Sequence, residues 1–258
     1  MTHGSLFSGI GGFDLAAEWM GWENKFHCEW NEFGKKILNY YWPNALCYGD
    51  ITKTDFNVWG GRIDVVSGGF PCQPFSVSGK RKATEDERFL WPEMLRAIRE
   101  IQPAWVVGEN VHGIISSKRG MVFRNIQIDL EAEGYKVLPT VLPACSVNAL
   151  HRRDRVWFCA YSDNKRLERQ YSKIGNKQEQ MEVPTKTLAF SKGWQKINHI
   201  LPEPKTIGSN DGISVELDGV TFSKWKEDSI KGYGNAIVPQ VAYQIFKSIE
   251  QYEQAAKI

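Results

Sequence analysis

A short apolar segment, Ser5–Phe7, runs into Gly9, Gly11 and Gly12, and the chain continues at helical spacing through Phe13, Ala16, Ala17 and Met20 to Gly21. A strand that meets a glycine turn and then at once a helix places backbone amides and a helix amino end at the carboxyl end of the strand. The alternation repeats. Lys25–Glu29 reads as a strand and Glu32–Tyr41 as a helix. Asp64–Ser67 is a buried-strand run that breaks into Gly68–Gly69, and Arg88–Ile101 has helical periodicity closed by Pro103. Ala104–Val107 is another buried strand, ending at Glu109–Asn110; Val122–Glu133 is a helix followed by Gly134; Lys136–Leu142 and Val156–Ala160 are late strands. Strands that alternate with helices, with polar residues gathered where the strands end, predict an α/β protein. Its expected core is a doubly wound, mostly parallel, Rossmann-like sheet that binds ligands at the carboxyl ends of its strands.

From about Ser162 to Trp225 this periodicity dissolves into a polar, proline-containing stretch that reads as a small loop-rich region. Pro239–Ile258 then recovers helical spacing and is expected to pack back on the sheet. Three parts follow: residues 1–161, 162–225 and 226–258. The formal net charge of +2 points to no partner, but residues 165–196 hold eight basic against three acidic side chains. Lys165, Arg166 and Arg169 in that stretch are candidate contacts to nucleic-acid phosphates; a solvated loop explains the same charge. The start, MTHGSLFSGIGG, has neither the basic opening nor the apolar run of a signal peptide, and no stretch approaches 18 apolar residues. The five cysteines are widely spaced with no CxxC pair, which fits a reducing cytoplasm and argues against a disulfide framework or a metal site.

The most specific motif is GGFPCQPFS, Gly68–Ser76. Two prolines make a stiff loop that presents one thiol, Cys72, at the functional edge of the sheet, which suits a covalent nucleophile. Cys28, Cys47, Cys145 and Cys159 stand in apolar contexts and are assigned to packing. Glu109 ends the next strand and faces the same crevice; partly desolvated, it could stay protonated and donate to a ring nitrogen. Arg153 and Arg155, two apart in an extended segment, would point to one side and reach a common acceptor-rich base or phosphate. At the first glycine turn, Glu29 could accept ribose hydroxyls, Trp30 could cover an adenine, and Asp50 with Ile51 ends the next segment. Asp14 stands where a dinucleotide fingerprint would want its third glycine, which disfavours a nicotinamide dinucleotide.

In this order, LFSGIGGFDLA, GGFPCQPFS, ENV, HRRDRVWF and GYGNAIVPQVA resemble the DNA (cytosine-5) methyltransferases, closely over residues 1–160 and 232–246. The resemblance implies a class I S-adenosyl-L-methionine-dependent methyltransferase fold, with S-adenosyl-L-homocysteine as product and a flipped-out cytosine as substrate. It implies cofactor contacts from Phe7, Gly9, Gly11, Gly12, Glu29, Trp30, Asp50, Ile51, Pro71, Leu90, Asn235 and Ala236. It also implies a Cys72 nucleophile, Glu109 engaging cytosine N3, and Arg153 and Arg155 beside the base, with Ser76 of the cysteine loop facing nucleic acid.

The implied partner is double-stranded DNA, with a cognate restriction endonuclease as a further candidate, in a bacterial or phage-encoded cytoplasmic protein without metal or membrane. His151 replaces the usual glutamine and Ala236 the usual serine, and only Gly208–Lys231 could be a remnant of the family's arginine-rich motif. An RNA (tRNA) cytosine-5 methyltransferase shares these motifs; a non-catalytic DNA-binding relative and a dinucleotide oxidoreductase are the other readings.

Overall fold

The computed structural model describes residues 1–71, 89–162 and 222–255. By backbone packing the chain divides into two units, Met1–Gln178 with Ile237–Ile258, and Glu179–Ala236. Among the described residues, seven strands stand in the first: β1 Thr2–Leu6, β2 Glu23–Cys28, β3 Leu46–Tyr48, β4 Val65–Gly68, β5 Trp105–Val111, β6 Lys136–Pro143 and β7 Asp154–Tyr161. Among the described residues, the helices between these strands are α1 Gly12–Trp19, α2 Glu32–Tyr41, α3 Trp91–Ile101 and α4 Met121–Ala132.

The strands form one sheet in the order β3-β2-β1-β4-β5-β7-β6. The first five in that order pair parallel, and β7 lies antiparallel between β5 and β6. The order reverses direction at β1 and β4, so the sheet is doubly wound and mostly parallel, as its sequence pattern predicts. The carboxyl ends of β1, β2, β4 and β5 therefore share one edge, which is where the glycine turn, Glu29, the start of the cysteine loop and Glu109 arrive.

Strands buried on both faces read as continuous apolar runs because each neighbour along the chain serves a different layer. Val66 and Val106 join a cluster with Met94, Ile98, Ile126 and Leu130 of α3 and α4. Their neighbours Val65 and Val107 join Phe13, Ala16 and Ala17 of α1 on the other face. The second cluster is completed by Val241, Phe246 and Ile249 from Pro239–Ala255, the returning helix that the sequence predicts.

Several expectations need correction. The segment that Asp50 ends, given no bounds from the sequence, holds a three-residue strand, β3. β5 continues through Glu109 and Asn110, because both are paired with β7 rather than released into a turn. The helix expected from Arg88 begins at Trp91, and Arg88 itself lies outside the described residues. Phe222–Trp225, expected as loop, open a helix that runs from Phe222 to Asn235. That helix, α5, is the described part of the second unit and carries an i,i+4 pair, Lys231–Glu227 at 2.6 Å; Pro239–Ala255 is α6. Among the described residues no helix is long and apolar enough to cross a membrane.

Candidate active site

Two groups of side chains converge on the shared edge. The first surrounds the glycine turn. Phe7 leaves β1 with φ 52°, a left-handed conformation costly for a bulky residue, and Gly11 caps α1 with φ 86°. The Glu29 carboxylate, just past β2, accepts hydrogen bonds from the Gly9 amide at 2.6 Å and the Asn31 amide at 2.7 Å. Burial pushes its pKa up, and those two amides and Lys35 pull it back. Gly34 of α2 makes the approach possible: a Cβ there would lie 2.6 Å from the Gly9 carbonyl oxygen and 2.9 Å from Glu29 Cγ.

Asp50 caps the following turn through the Thr52 amide at 3.0 Å, and Ile51 beside it is buried. Arg96 of α3 pins that turn by donating to the Thr54 carbonyl at 3.1 Å and to the Ile51 carbonyl. Phe7, Ile51 and Leu90 all pack on the cluster that holds Phe70 and Trp91. Trp30 stands 75% exposed beside Glu29.

These residues fit an adenosine-bearing cofactor by the chemistry of the donor set. An acidic acceptor, an open aromatic face, an apolar wall and a glycine turn with space around Gly9 stand together at one strand edge. Glu29 keeps lone pairs beyond the two amides it already accepts from, because a carboxylate offers about four acceptor sites. Asn235 ends α5, and Ala236 follows it. The chain re-enters the first unit at Ile237, whose carbonyl oxygen would lie 2.8 Å from a Cβ at Gly12.

The second group surrounds Glu109, which is 8% exposed at the end of β5. Arg155 Nε lies 2.9 Å from Glu109 Oε1. β5 and β7 pair so that Glu109 opposes Trp157, which puts Arg155 on the same face one pleat away. Burial nevertheless raises the Glu109 pKa to about 7, outweighing the attraction of Arg155 and Arg153. An acid that would be ionised in water is thereby poised near neutrality.

Arg153 acts on the same carboxylate through its charge and departs from the expected geometry: it does not alternate along an extended strand but stands before β7 with φ 37°. Its own pKa is lowered by burial and by Arg155. Glu109, Arg153, Arg155 and Trp157 line one cavity with Leu142, Ala144, Val238 and Val241.

The cysteine loop leaves the sheet beside this acid. A Cβ at Gly69 would lie 3.5 Å from Glu109 Oε2. The buried Asn110 side chain donates to the Phe70 carbonyl at 2.9 Å and accepts from the Val111 amide at 2.9 Å. Glu109 and the segment that leads through Pro71 to Cys72 are thus tied by adjacent residues of β5. Asn110, Arg96 and Gly34 carry this arrangement but were not singled out from the sequence; the ENV triplet was the one available signal.

Cys72, Ser76, Lys165, Arg166 and Arg169 lie outside the described residues. Cys28 is buried, but Cys145 is exposed on the turn after β6, which corrects its assignment to packing.

The family model of the C-5 cytosine-specific DNA methylases matches residues 1–216. The chain belongs to that family. It is 39% identical over 135 residues to the Type II methyltransferase M.PspPI of Psychrobacter sp. (strain TA137), a match that covers 52% of this chain and 32% of that protein. It is 30% identical over 164 residues to the Type II methyltransferase M.HhaI of Haemophilus parahaemolyticus, covering 63% of this chain and 50% of that one. The chain thus spans between about a third and half of these relatives. Among solved structures, the Entamoeba histolytica methyltransferase EhMeth superposes with a TM-score of 0.60 at 17% identity, over 96% of this chain and 97% of that one. The S. pombe Dnmt2 methyltransferase gives 0.51 at 22%, over 70% and 58%. Both likenesses show the shared fold.

Proposed function

We propose that the protein is a DNA cytosine-5 methyltransferase that binds S-adenosyl-L-methionine at the glycine turn and a flipped-out cytosine beside Glu109. The observation that carries this reading is the buried Glu109, with a pKa of about 7, fixed by Arg155 next to the segment that leads to Cys72. C5 of cytosine is a weak nucleophile. Addition of the Cys72 thiolate to C6, with the Glu109 proton delivered to N3, breaks the ring's aromaticity and makes C5 enamine-like. When bound, S-adenosyl-L-methionine supplies a methyl group on a positively charged sulfur for that carbon, and S-adenosyl-L-homocysteine is left behind. Loss of the C5 proton to a base then lets the Cys72 sulfur depart from C6, restoring the ring and returning the N3 proton.

The residues divide this labour. Glu29, Asp50 and Trp30 would hold the adenosine half of the cofactor, and Phe7, Ile51, Pro71 and Leu90 would close around it. Asn235 and Ala236 are assigned to the same cofactor by sequence resemblance. Arg153 and Arg155 hold Glu109 in place and favour a thiolate nearby. C5 and C6 are inaccessible in a stacked duplex, so the base must leave the helix.

Residues 162–225 are assigned to target recognition, with Lys165, Arg166 and Arg169 on backbone phosphates and Ser76 near the extruded base. Relatives named as Type II methyltransferases make a cognate restriction endonuclease, in a bacterial or phage-infected cytoplasm, the partner to seek. Bisulfite sequencing of plasmid from cells that express the chain tests the proposal: cytosines within one short sequence should resist conversion. Full conversion, with tritium from labelled cofactor entering transfer RNA instead, would move the substrate from DNA to RNA.

A further inference from the structure

Beneath the glycine turn lies a chain of buried polar side chains that the mechanism does not use. Asp14, on the first turn of α1, is fully buried, and so are Ser5 and His27. Ser5 Oγ donates to Asp14 Oδ1 at 2.9 Å and lies 3.0 Å from Oδ2; having spent its proton there, it accepts from Ser8 Oγ at 2.6 Å. His27 Nδ1 lies 3.1 Å from Asp14 Oδ1, and its Nε2 has no partner among the described residues. Asn24 donates to the Asp14 carbonyl at 2.9 Å and meets His3, which continues to Ser67 of β4 at 2.8 Å.

A carboxylate taken wholly out of water is costly unless polar partners surround it, and here they come from two strands, Ser5 of β1 and His27 of β2. Ser5 and Ser8 flank Phe7, the residue held at φ 52°. Such strain persists only where the surroundings over-determine it. The Ser8–Ser5–Asp14 chain spans that strained residue and ties the end of β1, the turn and α1 into one unit. Ser8 is also anchored by its amide to the Cys28 carbonyl at 3.2 Å and accepts from the Gly11 amide at 2.9 Å, so the turn's shape is set from Asp14 outward.

We propose that Asp14 is a positioning residue for the cofactor turn: its buried carboxylate holds Phe7 and Gly9 in the geometry that the cofactor meets. The inference rests on S-adenosyl-L-methionine binding at that turn. It also gives a reason for an acid, rather than a third glycine, at position 14: the side chain points into the space between β1 and β2.

The test is calorimetric titration of the 258-residue chain with S-adenosyl-L-homocysteine, alongside thermal melting. The wild type should bind, and Asp14→Asn should weaken binding by roughly tenfold, the penalty expected when the strained turn relaxes. Ser5→Ala, a milder change, should weaken it in the same direction and decides the matter if Asp14→Asn does not fold. Ile249→Ala, in the core cluster that holds none of Phe7, Ile51 and Leu90, should lower the melting temperature and leave affinity unchanged. Asp14→Asn or Ser5→Ala proteins that melt lower yet bind within twofold of wild type would overturn the proposal. A wild type that does not bind would overturn the cofactor reading and this inference together.

Discussion

Arg155 Nε sits 2.9 Å from Glu109 Oε1 at the edge where β5 meets β7, and the acid still titrates near 7. Two opposed effects meet in that pair. The guanidinium favours the carboxylate, while burial to 8% exposure favours the neutral acid, and burial wins. The same arginine that would otherwise keep the acid ionised serves instead to orient it.

This balance has a stability consequence. The folded pKa of Glu109 lies above its ordinary value of 4.5, so between about 4.5 and 7 the folded state binds more protons than the unfolded one. Glu109's contribution to stability is therefore present below that window and is lost as pH rises through it, at up to about 1.4 kcal/mol per pH unit. The difference in unfolding free energy between wild type and Glu109→Gln, followed by denaturant titration from pH 4.5 to 8, should show this slope and level off above 7. A pH-independent difference would mean that the acid is not held neutral.

Asn110 makes a separate prediction. Asn110→Ala removes the donor to the Phe70 carbonyl and leaves a buried acceptor unpaired, at a cost of about 1–3 kcal/mol. If the bond also sets the cysteine loop, turnover should fall more than cofactor affinity does. Steady-state kinetics with calorimetry separates the two; equal losses in both would assign Asn110 to stability alone.

Much of this arrangement was legible in the sequence, and the rest was hidden for identifiable reasons. α2 was found at its true limits because its apolar positions keep a helical period and Asn31 caps it. β3 had no readable bounds because three residues, one of them the exposed Leu46, give no alternation. α5 was missed because its charged residues and its glycines at 232 and 234 imitate a loop. Glu109 and Arg155 were recognisable as candidates, but their pairing is cross-strand and depends on β7 running antiparallel. Arg153 lines the Glu109 cavity through a left-handed backbone that the extended alternation does not give and that no glycine or asparagine announces. Gly34 belongs to packing between elements distant in sequence, which periodicity does not report.

Gly34→Ala should be the more telling cofactor-site variant because it removes no functional group. The added methyl would press on the Gly9 carbonyl and Glu29 Cγ, so affinity for S-adenosyl-L-homocysteine should drop about as far as in Glu29→Ala. Calorimetry that shows unchanged affinity in Gly34→Ala would place the cofactor away from this turn.

The basic stretch makes a prediction by salt titration. Replacing Lys165, Arg166 and Arg169 with Ala should weaken binding to every duplex and reduce the slope of log affinity against log salt, by up to about 0.9 for each phosphate no longer neutralised. The methylated site should stay the same, because phosphate contacts carry no base information. An unchanged slope would leave that stretch as a solvated loop.

The covalent step is the centre of the account, and trapping it is the most direct test. A duplex in which 5-fluorocytosine replaces cytosine keeps fluorine where the C5 proton must leave, so a cysteine adduct cannot resolve. Incubated with S-adenosyl-L-methionine, the wild-type chain should form a complex that survives denaturation, and peptide mass spectrometry should place the nucleotide on Cys72. Cys72→Ser should form none. A complex carried by another residue, or turnover retained in Cys72→Ser, would contradict the mechanism.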